Sequence, residues 1–188
     1  MTAGKQLAGA TLGRGHGEIT SLLALLSPDD MLASGIGGAE WSPKDLLGHL
    51  ALWQEIGVRS VDEFRRGEEP WIAGVLSAPG PGPNDAELAV RAPWPLGQAQ
   101  EAYERSRNEV LGRIEGLTEQ EWSSPVRGWT EDPATLGGLL GVVLGKEGLP
   151  FGHAFAHTSD MRAFVECAGD PRAVAVLYRC AGSRCSAD

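Results

Sequence analysis

Cysteine is scarce and badly placed for a framework. Cys167, Cys180 and Cys185 are an odd number crowded at one end of 188 residues, so a disulfide-stapled scaffold is not the source of this fold. Reduced thiols are the expectation, with a Cys180–Cys185 bridge as the one alternative. Positive charge is short as well: 16 Lys and Arg stand against 25 Asp and Glu, a formal charge of -9 with no basic cluster. Such a chain repels phosphate backbones, which argues against a nucleic-acid partner. Long apolar runs are missing. The longest candidate, 133–145, is Gly-rich and falls short of the roughly 18–20 residues that a membrane span needs. The segment Ile19–Ser27 imitates the core of a signal peptide, but Glu18 sits at its edge and no small-residue cleavage site follows. The expected setting is therefore the cytoplasm. Period-two alternation is absent too, so strands have no support.

What remains is ordinary globular composition, with 42% hydrophobic and 22% charged residues. The length suits a single domain, expected over 1–180, with a disordered tail at 181–188. The signal is helical almost throughout. A first helix is expected from Lys5, or from Gly17 if the glycines fray it, to Leu26. The clearest helix covers 43–66. Ser42, Pro43 and Asp45 form a cap signature ahead of a stripe of Leu46, Leu50, Trp53, Gly57 and Val61. Residues 68–95 carry six prolines and read as one long crossover connection with a single turn at 86–91. A third helix follows over 96–117, then a capped turn at Thr118–Glu121 with Trp122 folding back. The last segments are 134–145 and one helix over 151–168, with a short helix at 173–180 beyond it. The fold class is all-α, an antiparallel bundle of four principal helices with a Pro/Gly-rich crossover.

Two of four histidines, His153 and His157, are spaced i, i+4 on the expected last helix, which places both imidazoles on one face. His49 lies within the core stripe of the second helix. Inside a bundle the three rings can meet, and three neutral imidazoles with open positions suit a catalytic type of Zn, Ni or Fe site. Each ring can equally be a hydrogen-bonded core histidine, and spacing alone leaves both readings open. Asp160, one turn past His157, is a candidate for orienting an imidazole N–H or else a solvated acid; Glu55 reads as a surface acid. Trp53 is expected in the core and is also a candidate pocket residue. Trp71 and Trp94 flank the long connection and are candidate pocket walls or simple loop anchors. His16, among Gly13, Gly15 and Gly17, is expected in a frayed helix start, and no strand precedes it, so the segment is not a dinucleotide loop.

The segment Trp41-Ser42-Pro43-Lys44-Asp45-Leu46-Leu47-Gly48-His49-Leu50-Ala51-Leu52-Trp53 resembles the second-helix signature of the DinB-like superfamily, and His153-Ala154-Phe155-Ala156-His157 matches its last-helix signature. The resemblance implies a four-helix bundle of up-down-down-up topology with a divalent metal on His49, His153 and His157. The superfamily includes bacillithiol- and mycothiol-dependent S-transferases, mycothiol-dependent maleylpyruvate isomerases and natural-product self-resistance hydrolases. One departure stands out: Gly148 and Pro150 interrupt the last helix just ahead of His153. The expected activity is that of a metal-dependent transferase or hydrolase on a small electrophilic molecule, with metal-bound water or a low-molecular-weight thiol such as mycothiol or bacillithiol as nucleophile. The alternative is a metal-free protein that sequesters or hydrolyses a natural product. A small molecule is the expected partner, and apolar stripes leave room for a homodimer.

Overall fold

A computed structural model describes residues 3–38, 41–78 and 83–168. The expected helix at 173–180, the tail, Cys180 and Cys185 lie outside the described residues. Among those described, nine helices and no strand are present; two isolated bridges, Pro125 with Thr135 and Lys146 with Leu149, are the sole β-type pairings. None of the helices is long and apolar enough to cross a membrane.

Three long helices form the body: α1 (Ala3–Leu23), α2 (Pro43–Arg65) and, after the connection, α5 (Leu96–Gly116). Helix α2 starts where the cap signature places it. The Ser42 hydroxyl accepts from the Asp45 backbone N–H, the Asp45 carboxylate accepts from the Ser42 N–H, and Pro43 opens the first turn. Its apolar residues surround nearly the whole circumference, because α2 packs most extensively on α5 and is flanked by further helices on its other sides. Helix α1 runs from Ala3 and does not fray at its glycines. A Cβ on Gly15 would lie 2.9 Å from that of Ala154, so the missing side chain lets α1 press against the histidine segment. Lys5 is buried, and its ammonium donates to the Glu115 and Leu117 carbonyls at the end of α5, where free carbonyls favour a cation.

The crossover is more ordered than its proline content suggested. It contains α3 (Trp71–Ser77) and α4 (Asn84–Arg91). Pro70 and Pro95 occupy the N-cap positions of α3 and α5, so these prolines start helices as well as end them. The capped turn after α5 is a short helix, α6 (Glu119–Ser123), with a Thr118–Glu121 capping box. Trp122, expected to fold back on this turn, instead stacks 5.9 Å from Phe151. The fourth side of the bundle is composite: α7 (Leu136–Val143), α8 (His153–Ala156) and α9 (Thr158–Ala168). The continuous last helix expected over 151–168 is thus corrected to two helices. The Thr158 hydroxyl bonds back to the Ala154 carbonyl at 3.3 Å, a local competitor for the helical ladder.

The buried side chains fall into two clusters. One gathers Leu52, Ile56, Val110, Ile114, Leu139 and Leu140 with Trp53 and Phe151; the other gathers Ile19, Leu46, Leu50, Tyr103 and Met161 with Trp41 and Ala154. His49 stands on α2 between residues of the two, and the histidine site opens there.

Candidate metal centre

Each histidine is set by a different piece of backbone. His49 sits mid-helix on α2, buried beside Leu50. His153 opens α8 after a tight turn. In that turn Lys146 and Leu149 exchange both backbone hydrogen bonds, and the Phe151 N–H reaches the Gly141 carbonyl. The His153 N–H then donates to the Leu144 carbonyl at 3.0 Å, tying the ring's backbone to the end of α7. Gly145 is required in this turn, since a Cβ there would lie 2.1 Å from the Gly141 oxygen. Phe151 carries a positive φ of 62°, a left-handed conformation that costs a bulky residue roughly 1–3 kcal/mol; its buried ring and its backbone hydrogen bond hold it there. His157 caps α8 while its carbonyl accepts from the Met161 N–H in α9. Its φ of -105° and ψ of -4° stay near helical, so the i, i+4 relation to His153 survives the break.

The three rings converge. Nε2 of His49 lies 2.9 Å from Nε2 of His153, which lies 3.3 Å from Nε2 of His157. All three offer ligand atoms within 4.8 Å of one another, a group that could hold a metal ion. Imidazoles sharing one ion at about 2.0–2.1 Å place their nitrogens roughly 2.9–3.4 Å apart, and the two short separations fall in that range. Burial pushes the His49 imidazole down to about 3, with the nearby His157 adding to it. Burial and the two neighbouring rings push His153 down to about 2. His157 is lowered by burial as well, partly offset by the Asp160 carboxylate. All three are therefore neutral at pH 7 and keep a lone pair for a cation. His49 Nδ1 is buried without a partner, so the outer hydrogen bond that commonly anchors a ligating imidazole is lacking at that ring.

A cavity of about 390 Å³ adjoins the cluster, lined by the three histidines with Trp41, Trp53, Asn84 and Lys146. Trp41 packs 5.0 Å from the His49 ring and Trp53 5.7 Å from His153. The sequence singled out Trp53, and the structure puts it in this wall. It does not bring Trp71 or Trp94 there. Trp71 lies under Arg59 at 4.8 Å, and Trp94 lies under Arg91 at 4.8 Å. Both anchor the crossover instead. Asp160 influences His157 through its charge, but it hydrogen-bonds to none of the three histidines, and its carboxylate rests against the turn at Gly37. Glu55 pairs with Arg91 at 2.6 Å and stands away from the cavity. Sequence reasoning missed Asn84, which α4 carries to the cavity, where it accepts a hydrogen bond from Trp53 Nε1 at 2.9 Å. No local motif marks it. His16 is corrected from a frayed end to a buried ring stacked 4.9 Å from Tyr103 and within 3.4 Å of Glu104.

No curated protein and no solved structure matches this chain significantly. The sequence pattern of the DinB superfamily matches residues 11–149, which takes in α1 from Thr11 onward, α2, α5, α7 and His49 and stops just short of His153. With most of the chain matched and a helical bundle closed around a histidine cluster, this protein belongs to the DinB superfamily.

Proposed function

We propose that the protein is a metal-dependent transferase or hydrolase acting on a small electrophilic molecule in the cytoplasm. The observation that carries this reading is the convergence of three neutral imidazoles from α2, α8 and the α8–α9 junction on the edge of a 390 Å³ cavity. His49, His153 and His157 would hold a divalent cation (Zn, Ni or Fe) at the edge of the cavity. Such a cation supplies Lewis acidity and brings the pKa of water or a thiol toward neutrality. The chain's own part is to keep the rings neutral by burial and to wall the site with Trp41 and Trp53. The nucleophile is water or a low-molecular-weight thiol such as mycothiol or bacillithiol. A small molecule is the partner, and a homodimer is compatible with the exposed Leu7 of α1 and Leu25 just beyond its end.

One observation favours a second, metal-free reading in which the cavity only binds or hydrolyses a natural product. A separation of 2.9 Å between His49 and His153 is also that of a hydrogen bond between neutral imidazoles; with His49 Nε2 as the donor, His49 Nδ1 is left a bare acceptor, a cheaper orphan than the N–H it must carry when Nε2 binds a metal. The test is turnover of chlorodinitrobenzene or an epoxide, with and without thiol, on zinc- or nickel-loaded protein. Activity abolished by chelation and by His153→Ala supports the metalloenzyme; ligand binding or hydrolysis that is indifferent to chelation supports the second reading.

A further inference from the structure

Among the described residues, the lining of the histidine cavity contains Trp41, Trp53, Asn84, Val142 and Lys146 beside the histidines, and Lys146 is its one permanently charged side chain; the Asp160 carboxylate acts on His157 from outside this lining. This is unexpected in a chain with 25 acids against 16 bases. Lys146 pairs with no carboxylate among the described residues. Its backbone is fixed, because both main-chain groups are bonded to Leu149 across the turn that leads to His153, while its side chain is exposed at the mouth of the cavity.

Asn84 adds a second donor, and its orientation follows from chemistry. An indole N–H can only donate, so the atom facing Trp53 Nε1 at 2.9 Å is the amide oxygen. The Asn84 NH₂ group has no acceptor among the described residues, and Asn84 lines the cavity. The rest of the lining is the indoles of Trp41 and Trp53 with Val142, Val143, Gly145 and Ala156. A second cavity, about 450 Å³ between α1, α2 and α5, shows the contrast. It is lined by Leu23, Leu26, Met31, Leu47 and Leu96, and its one charged residue is the acid Glu104.

Resting on the reading of this cavity as the substrate site, we propose that it takes a small anionic molecule, a carboxylate on a flat or apolar body, whose carboxylate is received by Lys146 and Asn84 while the body lies between the two indoles. The far end of the molecule then faces the histidines. Charge-assisted hydrogen bonds of this kind are the stronger sort, and a pocket of this volume matches a small organic ligand.

The experiment uses three probes of one shape and different charge: benzoate, benzamide and benzylamine. Quenching of tryptophan fluorescence and ligand-observed NMR follow their binding to the full chain, both zinc-loaded and chelator-treated. Zinc stoichiometry is read separately by calorimetry, so failure of the metal reading is seen on its own. The expected result is a preference for benzoate over benzamide of roughly tenfold in the chelated protein. Lys146→Met removes that preference, Lys146→Arg keeps it, and Asn84→Leu reduces it. A preference that appears only with zinc overturns the proposal, since the ion itself would then be the anion receptor. Equal binding of the three probes, no binding of benzoate, or a preference untouched by Lys146→Met overturns it as well.

Discussion

His49 and His153 are 104 residues apart in sequence, yet their Nε2 atoms lie 2.9 Å from each other. Two different devices deliver them. A long capped helix carries His49, and a tight turn with its glycine at 145 and a left-handed Phe151 aims His153. Everything proposed about function depends on that meeting, and the predictions below probe the parts that hold it.

The turn is the more fragile device. Gly145→Ala puts a Cβ against the Gly141 oxygen, the same oxygen that accepts the Phe151 N–H. The turn must open, at a cost of about 1–3 kcal/mol. Urea unfolding should report that loss together with weaker zinc binding. Unchanged stability with unchanged zinc affinity would show that the turn does not set His153.

Arg91 is the clamp on the crossover. Its guanidinium is bonded to Glu55 at 2.6 Å, lies 4.8 Å over the Trp94 ring and is largely buried. Since α4 also carries Asn84 to the cavity, Arg91→Ala should free that helix while the α2–α5 body stays folded. The expected readout is faster protease cleavage within 66–95 at nearly unchanged helix content by circular dichroism. Equal cleavage rates in the variant and the parent would contradict this role.

Glu121 gives the fold a defined acid sensitivity. The hydrogen bond from Arg65 and the Thr118 backbone hydrogen bond hold its carboxyl down to about 2, from 4.5. Because the folded value lies below the unfolded one, the contribution is fully present above 4.5 and is lost as pH falls from there toward about 2. Glu121→Gln should therefore destabilise by about 1 kcal/mol at neutral pH, after allowance for solvent screening of a partly exposed pair. The gap to wild type should close below pH 3. A gap independent of pH would assign the loss to packing.

Legibility in the sequence followed the range of the forces involved. Helix α2 and the α6 turn were readable because their start signals are local: a hydroxyl and a carboxylate three residues apart. The histidine pairing was readable as an i, i+4 spacing, although the helix it was assigned to is broken at His157, whose N–H bonds to the Ala154 carbonyl three residues back. Proline misled in the crossover, since Pro70 and Pro95 serve as N-caps there. Gly15 and His16 misled for a tertiary reason. The glycine serves a close approach to Ala154, and the imidazole is stabilised by Tyr103, far along the chain. Asn84 was invisible because its role is set by Trp53 on another helix.

The central claim is that His49, His153 and His157 hold one divalent ion. Elemental analysis of the purified, untagged protein beside a variant with all three changed to alanine tests it most directly. The account predicts about one zinc, nickel or iron per chain in the wild type and none in the variant, with helix content retained in both. Absence of metal from the wild type, even after incubation with zinc or nickel, would contradict it.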